Sequence, residues 1–211
     1  MKHPARLHLI SRKAHNLASL KGTPHRDSAP VELIGQSVCD TVHDFTLLDH
    51  GYPGADMRRR VIYLAGPDCW LIWDTATPAQ PAPIVQQWQV EPGVIVRSLD
   101  RGYKLLKSGK SLTVTWLGRD PSMRYVKAVE GQHAGWVGVK WKTLETGSLL
   151  MAESRDTSSP QLLTLIAPSG QSPLGVVSSK LTTGKAVVEL TRGARTWRVV
   201  ADSDGVAAIE A

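Results

Sequence analysis

The chain has 211 residues, 42% of them hydrophobic and 21% charged, and its 25 Lys and Arg outnumber 19 Asp and Glu for a net charge of +6. That composition excludes a disordered chain, two cysteines exclude a disulfide scaffold, and no apolar run approaches the roughly 20 residues of a membrane-spanning helix. The positive excess is spread along the chain, so it does not by itself select an anionic partner.

The opening Met1-Lys2-His3-Pro4-Ala5-Arg6 is basic, with no apolar run of signal-peptide length behind it, which as written predicts a cytoplasmic chain. Leu7 and Leu9 alternate with His8 in an opening strand. His3 and His8 would lie on opposite faces of that strand and so do not form a ligand pair.

Ala14-His15-Asn16 follows Ser11-Arg12-Lys13. Zinc needs three or four protein ligands, so His15 alone does not make a zinc site. The plainer reading has His15 and Asn16 hydrogen-bonding backbone at a strand end. Cys39 and Cys69 fall in neighbouring expected strands, where they are either buried free thiols or one bridge.

His43 and Asp44 are adjacent on a strand and point to opposite faces. They cannot act on one substrate atom as base and orienting carboxylate without a bulge. Arg58-Arg59-Arg60 is the densest positive run. Arg58 and Arg60 share one face and Arg59 takes the other. Planar guanidinium forks suit carboxylates and sulfates, although a solvated or salt-bridged strand would read the same way.

Val61 to Leu64 and Trp70 to Trp73 are nearly continuous apolar runs joined by the turn residues Gly66-Pro67-Asp68, as in a hairpin covered on both faces. Ile84, Gln86, Trp88 and Val90 alternate with Val85, Gln87 and Gln89; Leu112, Val114 and Trp116 alternate with Thr113 and Thr115. Between them Arg101, Lys104, Lys107 and Lys110 surround a hairpin and would present a cationic edge. Val137, Val139 and Trp141 alternate with Lys140 and Lys142, and further strands follow at Leu162 to Ile166, Ala186 to Leu190, Trp197 to Val200 and Val206 to Ile209. Thr77 to Pro83 and Ser154 to Pro160 read as surface loops.

Short strands punctuated by Gly, Pro, Asp and Ser turns, with no sustained helical period, predict an all-β antiparallel sandwich of two large sheets with little helix. No linker interrupts the series, which predicts a single domain over residues 1–211.

Seven tryptophans stand against one phenylalanine. Trp70, Trp73, Trp88, Trp116 and Trp141 lie in alternating strands and are expected in the core. Trp136, beside Gly135, is the candidate for an exposed ring that could stack on a sugar. No phosphate loop, dinucleotide fingerprint, serine-hydrolase elbow or zinc-protease motif occurs, and no nucleic-acid-binding or membrane motif either.

Taken together, His15-Asn16, His43-Asp44, Gly51-Tyr52, Arg58-Arg59-Arg60-Val61, Trp70-Leu71-Ile72-Trp73-Asp74 and Val85-Gln86-Gln87-Trp88 resemble, in order and spacing, the C-terminal β-sandwich domain of the heparinase II/III-like polysaccharide lyases. The resemblance spans roughly residues 7 to 170. It implies β-elimination of acidic, uronate-bearing polysaccharides by an enzyme whose catalytic tyrosine and asparagine or histidine come from an α-helical toroid. None of those groups maps onto this sequence, so the resemblance implies a domain that is non-catalytic by itself and forms one wall of a substrate cleft. Arg58, Arg60 and Trp136 are then the substrate-contact candidates. His15 is the metal candidate, holding zinc only with ligands from a preceding part. The implied partners are an acidic polysaccharide and a toroid, encoded separately or in a longer lyase. In the second case the location would be periplasmic or secreted. A stand-alone carbohydrate-binding or structural assembly module is the alternative.

Overall fold

A computed structural model describes residues 11–129, 134–140, 143–170, 172–203 and 205–210. Apart from a 3-10 turn at Arg12–Ala14, the described residues form strands and their connections. The first nine strands are β1 (Leu17–Leu20), β2 (Val31–Val38), β3 (Val42–Asp49), β4 (Asp56–Leu64), β5 (Cys69–Thr77), β6 (Ile84–Val90), β7 (Ile95–Leu99), β8 (Gly102–Lys107) and β9 (Lys110–Leu117). The next five are β10 (Ser122–Lys127), β11 (Trp136–Lys140), β12 (Thr143–Thr146), β13 (Ser148–Glu153) and β14 (Gln161–Pro168). The last four are β15 (Gly175–Thr182), β16 (Lys185–Arg192), β17 (Arg195–Asp202) and β18 (Gly205–Glu210).

Eight strands form a central antiparallel sheet in the order β2-β3-β4-β5-β14-β9-β8-β7. Strand alternation gives this sheet two apolar faces. On β5, Leu71 and Trp73 join a core with Val188, Leu190 and Trp197 of β16 and β17. Ala76, of opposite parity, joins a second core with Ile84, Leu150 and Ala152 of β6 and β13. On β14, Leu163 and Leu165 enter the first core and Leu162 the second. The sheet β15-β16-β17-β18 therefore covers one face, and the sheet β1-β6-β13-β10 covers the other.

The expected antiparallel all-β sandwich is present, but its layering differs from two large sheets. One large sheet lies between two four-stranded ones. Each outer sheet is too small to cover the whole central face, and that leaves room for the clefts described below. The two-stranded ribbon β11-β12 is closed at its base by the Gly147 amide, which donates to Gly135 O at 2.9 Å, and is tied on by the Ala128 amide, which donates to Gly147 O at 3.2 Å.

Turn chemistry fixes the register where the sequence placed hairpins. Ser108 and Gly109 both have positive φ (49° and 75°), as a two-residue type I′ loop requires, and Lys107 faces Lys110 across it. The Val61–Leu64 and Trp70–Trp73 runs pair as adjacent central strands, with Leu64 opposite Cys69.

Two tryptophan expectations change, the lesser being that Trp88 is only partly buried, packed against the second core. Trp73 and Trp116 are buried, but Trp70 is 37% exposed and packs on Tyr63 with ring centroids 5.0 Å apart. It sits on the central sheet beyond the reach of the β1-β6-β13-β10 layer. Val139 is also exposed, because β11 belongs to the ribbon and has no layer over it. Trp141 and Lys142, like Leu7, Leu9, His3 and His8, lie outside the described residues.

Both cysteines are free thiols, Cys39 exposed and Cys69 buried. Burial pushes the Cys69 thiol up to about 12, whereas a hydrogen bond with the Thr41 hydroxyl lowers Cys39. Since the thiolate is the nucleophile, a disulfide-exchange reagent is expected to titrate Cys39 in the native protein and Cys69 only after denaturation. Two fast native equivalents would contradict this burial.

Candidate functional site

The arginine run on β4 divides as strand geometry dictates, and the three side chains have very different surroundings. Arg59 faces the β1-β6-β13-β10 layer. Its Nε and Nη2 donate to Asp74 Oδ1 and Oδ2 at 2.7 and 2.9 Å, and Asp74 is fully buried. Gln86 Nε2 also donates to Asp74 Oδ2, at 2.7 Å. The side-chain oxygen of Gln86, Oε1, accepts from the Trp116 and Trp88 indoles at 2.7 and 3.2 Å and from the Thr164 hydroxyl. Burial alone would lower the Arg59 pKa, but the Asp74 charge outweighs it and holds it above its usual value.

Arg60 faces the opposite layer. It makes a bidentate pair with Asp44 at 2.8 and 2.7 Å and donates to Asp202 O at 2.6 Å, bridging the central sheet to β17. Asp44 thus points away from His43, which packs edge-on against Tyr63 with centroids 5.7 Å apart. The two are parted as expected for neighbours on a strand. Arg58 shares the Arg60 face, is half exposed and pairs loosely with Asp56 at 3.3 Å. A cleft of about 650 Å³ opens there, lined by Gln36, Thr46, Arg58, Arg60, Thr75 and Gln161 among others.

His15 is exposed, and its neighbour is held by backbone. Asn16 Oδ1 accepts from Gln89 N at 2.6 Å, Asn16 O accepts from Arg59 Nη1 at 3.0 Å, and His15 O accepts from Gln87 Nε2 at 3.1 Å. His15 therefore lies on the Arg59 side of the central sheet, while Arg58 and Arg60 lie on the other. Trp136 is half-buried in the ribbon, and its indole donates to Val129 O at 3.1 Å. The four residues singled out in the sequence are not brought to one place. Among the described residues no group of three or more His, Cys, Asp or Glu stands close enough to hold a metal. His15 supplies one donor, which does not fit a zinc site.

A second constellation has no sequence signal of its own. Arg12 Nη2 donates to Asp49 Oδ2 at 2.9 Å, and the two ring nitrogens of His25 lie 3.0 Å from Asp27 Oδ1 and 3.1 Å from Asp49 Oδ1. The His25 ring packs on Tyr52 at 4.8 Å, and the Tyr52 hydroxyl accepts from Leu20 N at 3.3 Å. The one trace of this cluster in the sequence is Gly51. A Cβ there would stand 1.9 Å from His25 Nε2, so glycine at position 51 is a packing requirement. Above it lies a basin of about 690 Å³, lined by Arg12, Lys21, His25, Gln87, Arg124 and Glu153 among others.

Burial would raise the Asp49 carboxyl, but the Gly51 amide, His25 and Arg12 outweigh it and hold it below the usual carboxylate value. Its contribution to stability is therefore complete above about pH 4 and is lost as pH falls through the depressed value. Asp49→Asn is expected to flatten that part of the acid dependence of the urea midpoint. An unchanged slope would remove Asp49 from acid unfolding.

A layered antiparallel β-sandwich with these faces is the fold found in heparan sulfate lyase and heparinase III structures. Heparan sulfate lyase HepC from Pedobacter heparinus superposes with a TM-score of 0.74 at 15% identity, covering 96% of this chain and 33% of that one. A heparinase III structure gives 0.70 at 14% identity, covering 90% and 30%. The heparinase III known as the BT4657 gene product gives 0.65 at 11%, covering 94% and 30%. The chain thus spans about a third of the length of these lyases. No family model and no curated protein matches the sequence.

Proposed function

We propose that this chain is the β-sandwich domain of a heparinase-like polysaccharide lyase, non-catalytic by itself and forming one wall of an acidic-polysaccharide cleft. The observation that carries this reading is the coverage: nearly all of this chain superposes on HepC, while two thirds of HepC has no counterpart in the 211 residues. The chemistry agrees. β-Elimination needs a base for the proton α to a carboxyl group and an acid for the departing oxygen. Here His25 is held between two carboxylates, and Arg59 and Arg60 are each tied to a buried aspartate. These groups build the fold and are not poised over a vacant reaction centre.

The wall would be the outer face of the β1-β6-β13-β10 sheet beside His15, with Arg12, Lys21 and Arg124 around its basin. Zinc at His15 would depend on ligands from the remainder of such a lyase, as would a toroid partner. The test is the ultraviolet absorbance of the unsaturated uronate product, with folded protein and heparin, heparan sulfate, alginate or hyaluronan. A flat trace is expected. A rise abolished by His15→Ala would overturn the non-catalytic reading.

One observation favours the alternative of a stand-alone carbohydrate-binding module. His43, Tyr63 and Trp70 form an aromatic row on neighbouring strands, with Trp70 exposed. Saturable binding of neutral glycan that is lost in Trp70→Ala would favour it.

A further inference from the structure

Beyond the wall beside His15, we infer that a second groove, on the Arg58 side of the central sheet, binds a lightly charged, uronate-bearing oligosaccharide. The inference rests on the polysaccharide reading above but assigns a different surface. The cleft at Arg58 does not end at the sheet. It shares Ser159, Gln161 and Thr183 with a neighbouring hollow of about 280 Å³ that reaches Arg119 and Arg155. The two make one trough between the 154–160 loop and the β15–β16 turn, with guanidinium groups at both ends.

The trough is built in advance. Asp156 Oδ1 accepts from the Ser158 and Ser159 amides at 2.9 and 3.1 Å, and Ser154 Oγ donates to Asp156 O at 2.9 Å. Ala82 N donates to Thr157 O at 2.9 Å and Ala76 N to Pro160 O at 3.1 Å, which fastens the loop to the strands. A loop already ordered loses little entropy when a ligand arrives. At one end Arg155 is exposed and has no ion-pair or hydrogen-bond partner among the described residues, and Arg119 is 81% exposed with only a 3.6 Å contact to Asp156. At the other end Arg58 is half exposed.

The charge balance identifies the ligand class. Arg58, Arg60, Arg119 and Arg155 line the trough with Asp44, Asp156 and Asp202, a net excess of one positive charge. Between the ends, hydroxyls and amides of Thr46, Thr75, Ser159 and Gln161 alternate with apolar surface from Trp73, Pro160 and Leu181, which suits the mixed polar and C–H faces of a sugar. Paired carboxylates and hydroxyls offer both donors and acceptors to sugar hydroxyls, and the guanidinium forks suit widely spaced carboxylates. A densely sulfated chain or a nucleic-acid backbone would meet three carboxylates with little net attraction.

The test is a calorimetric titration of the whole chain with a hyaluronan octasaccharide at low salt. Arg119→Ala with Arg155→Ala is expected to weaken binding about tenfold, and Arg58→Ala several-fold, as loss of charge-assisted bonds predicts. These side chains are exposed, so thermal unfolding should be unchanged. Lys104→Ala with Lys110→Ala removes the same charge elsewhere and should leave binding intact. Equal weakening by the lysine pair, or equal affinity for heparin or duplex DNA, would overturn the assignment in favour of nonspecific charge. Loss that follows Arg124→Ala instead would place the sugar on the β1-β6-β13-β10 face, sinking the groove but keeping the polysaccharide reading. No binding by the unaltered chain would sink both.

Discussion

Asp74→Ala is expected to cost about 3–5 kcal/mol in equilibrium urea unfolding, because it strands a buried guanidinium without its partner. Asp74 is fully buried, Arg59 retains 19% side-chain exposure, and the pair is joined by two short hydrogen bonds. The loss should spread beyond the pair. Arg59 also stacks on Trp88 at 5.5 Å and holds the Asn16 carbonyl, so this side chain shares with Gln87 and Gln89 the fastening of the His15-Asn16 segment. The control is the double replacement Arg59→Met with Asp74→Leu. Removing both charges removes both desolvation costs, and the double variant should be much less destabilised than Asp74→Ala. A double variant as unstable as the single one would mean that the Asn16 and Trp88 contacts, not the charge pair, dominate.

Arg60→Ala carries the second large effect. Its guanidinium is 14% exposed and its partner Asp44 10% exposed, and it also ties the central sheet to β17 through Asp202 O. Truncation leaves Asp44 buried without its cation, again about 3–5 kcal/mol. Arg58→Ala, at a half-exposed pair, should cost at most about 1 kcal/mol. The comparison bears on function. A double Arg58→Ala and Arg60→Ala variant would lose glycan retention through misfolding as readily as through lost contact. Arg58 alone is the informative substitution. Equal urea midpoints for the two single variants would show that Arg60 is no more structural than its neighbour.

The sequence made the parity of the arginine run legible but not its burial. Three arginines in one strand look alike until the aspartates opposite them are known. Asp74 comes from the adjacent strand, 15 residues away, and Asp44 from the other neighbour, 16 residues away. Trp70 shows the same limit from the apolar side. Its run reads as core, and its strand is central, but the layer above ends before it. Gly51-Tyr52 was visible as a motif, while its cause, the His25 ring, lies more than 20 residues upstream in a loop with no periodicity to mark it.

The sequence by itself determined the strands with clear alternation or apolar runs, such as β4, β5, β6, β9, β14, β16, β17 and β18, together with hairpin turns and the side on which their residues fall. These are set by local sterics, alternation and turn chemistry. Only the tertiary structure decided that one large sheet lies between two small ones, which charges are buried in pairs, and where clefts remain open. Those outcomes depend on contacts such as Arg60 with Asp202, 142 residues apart, and on how much of a central face a four-stranded layer can cover. Local pattern carries no information about either.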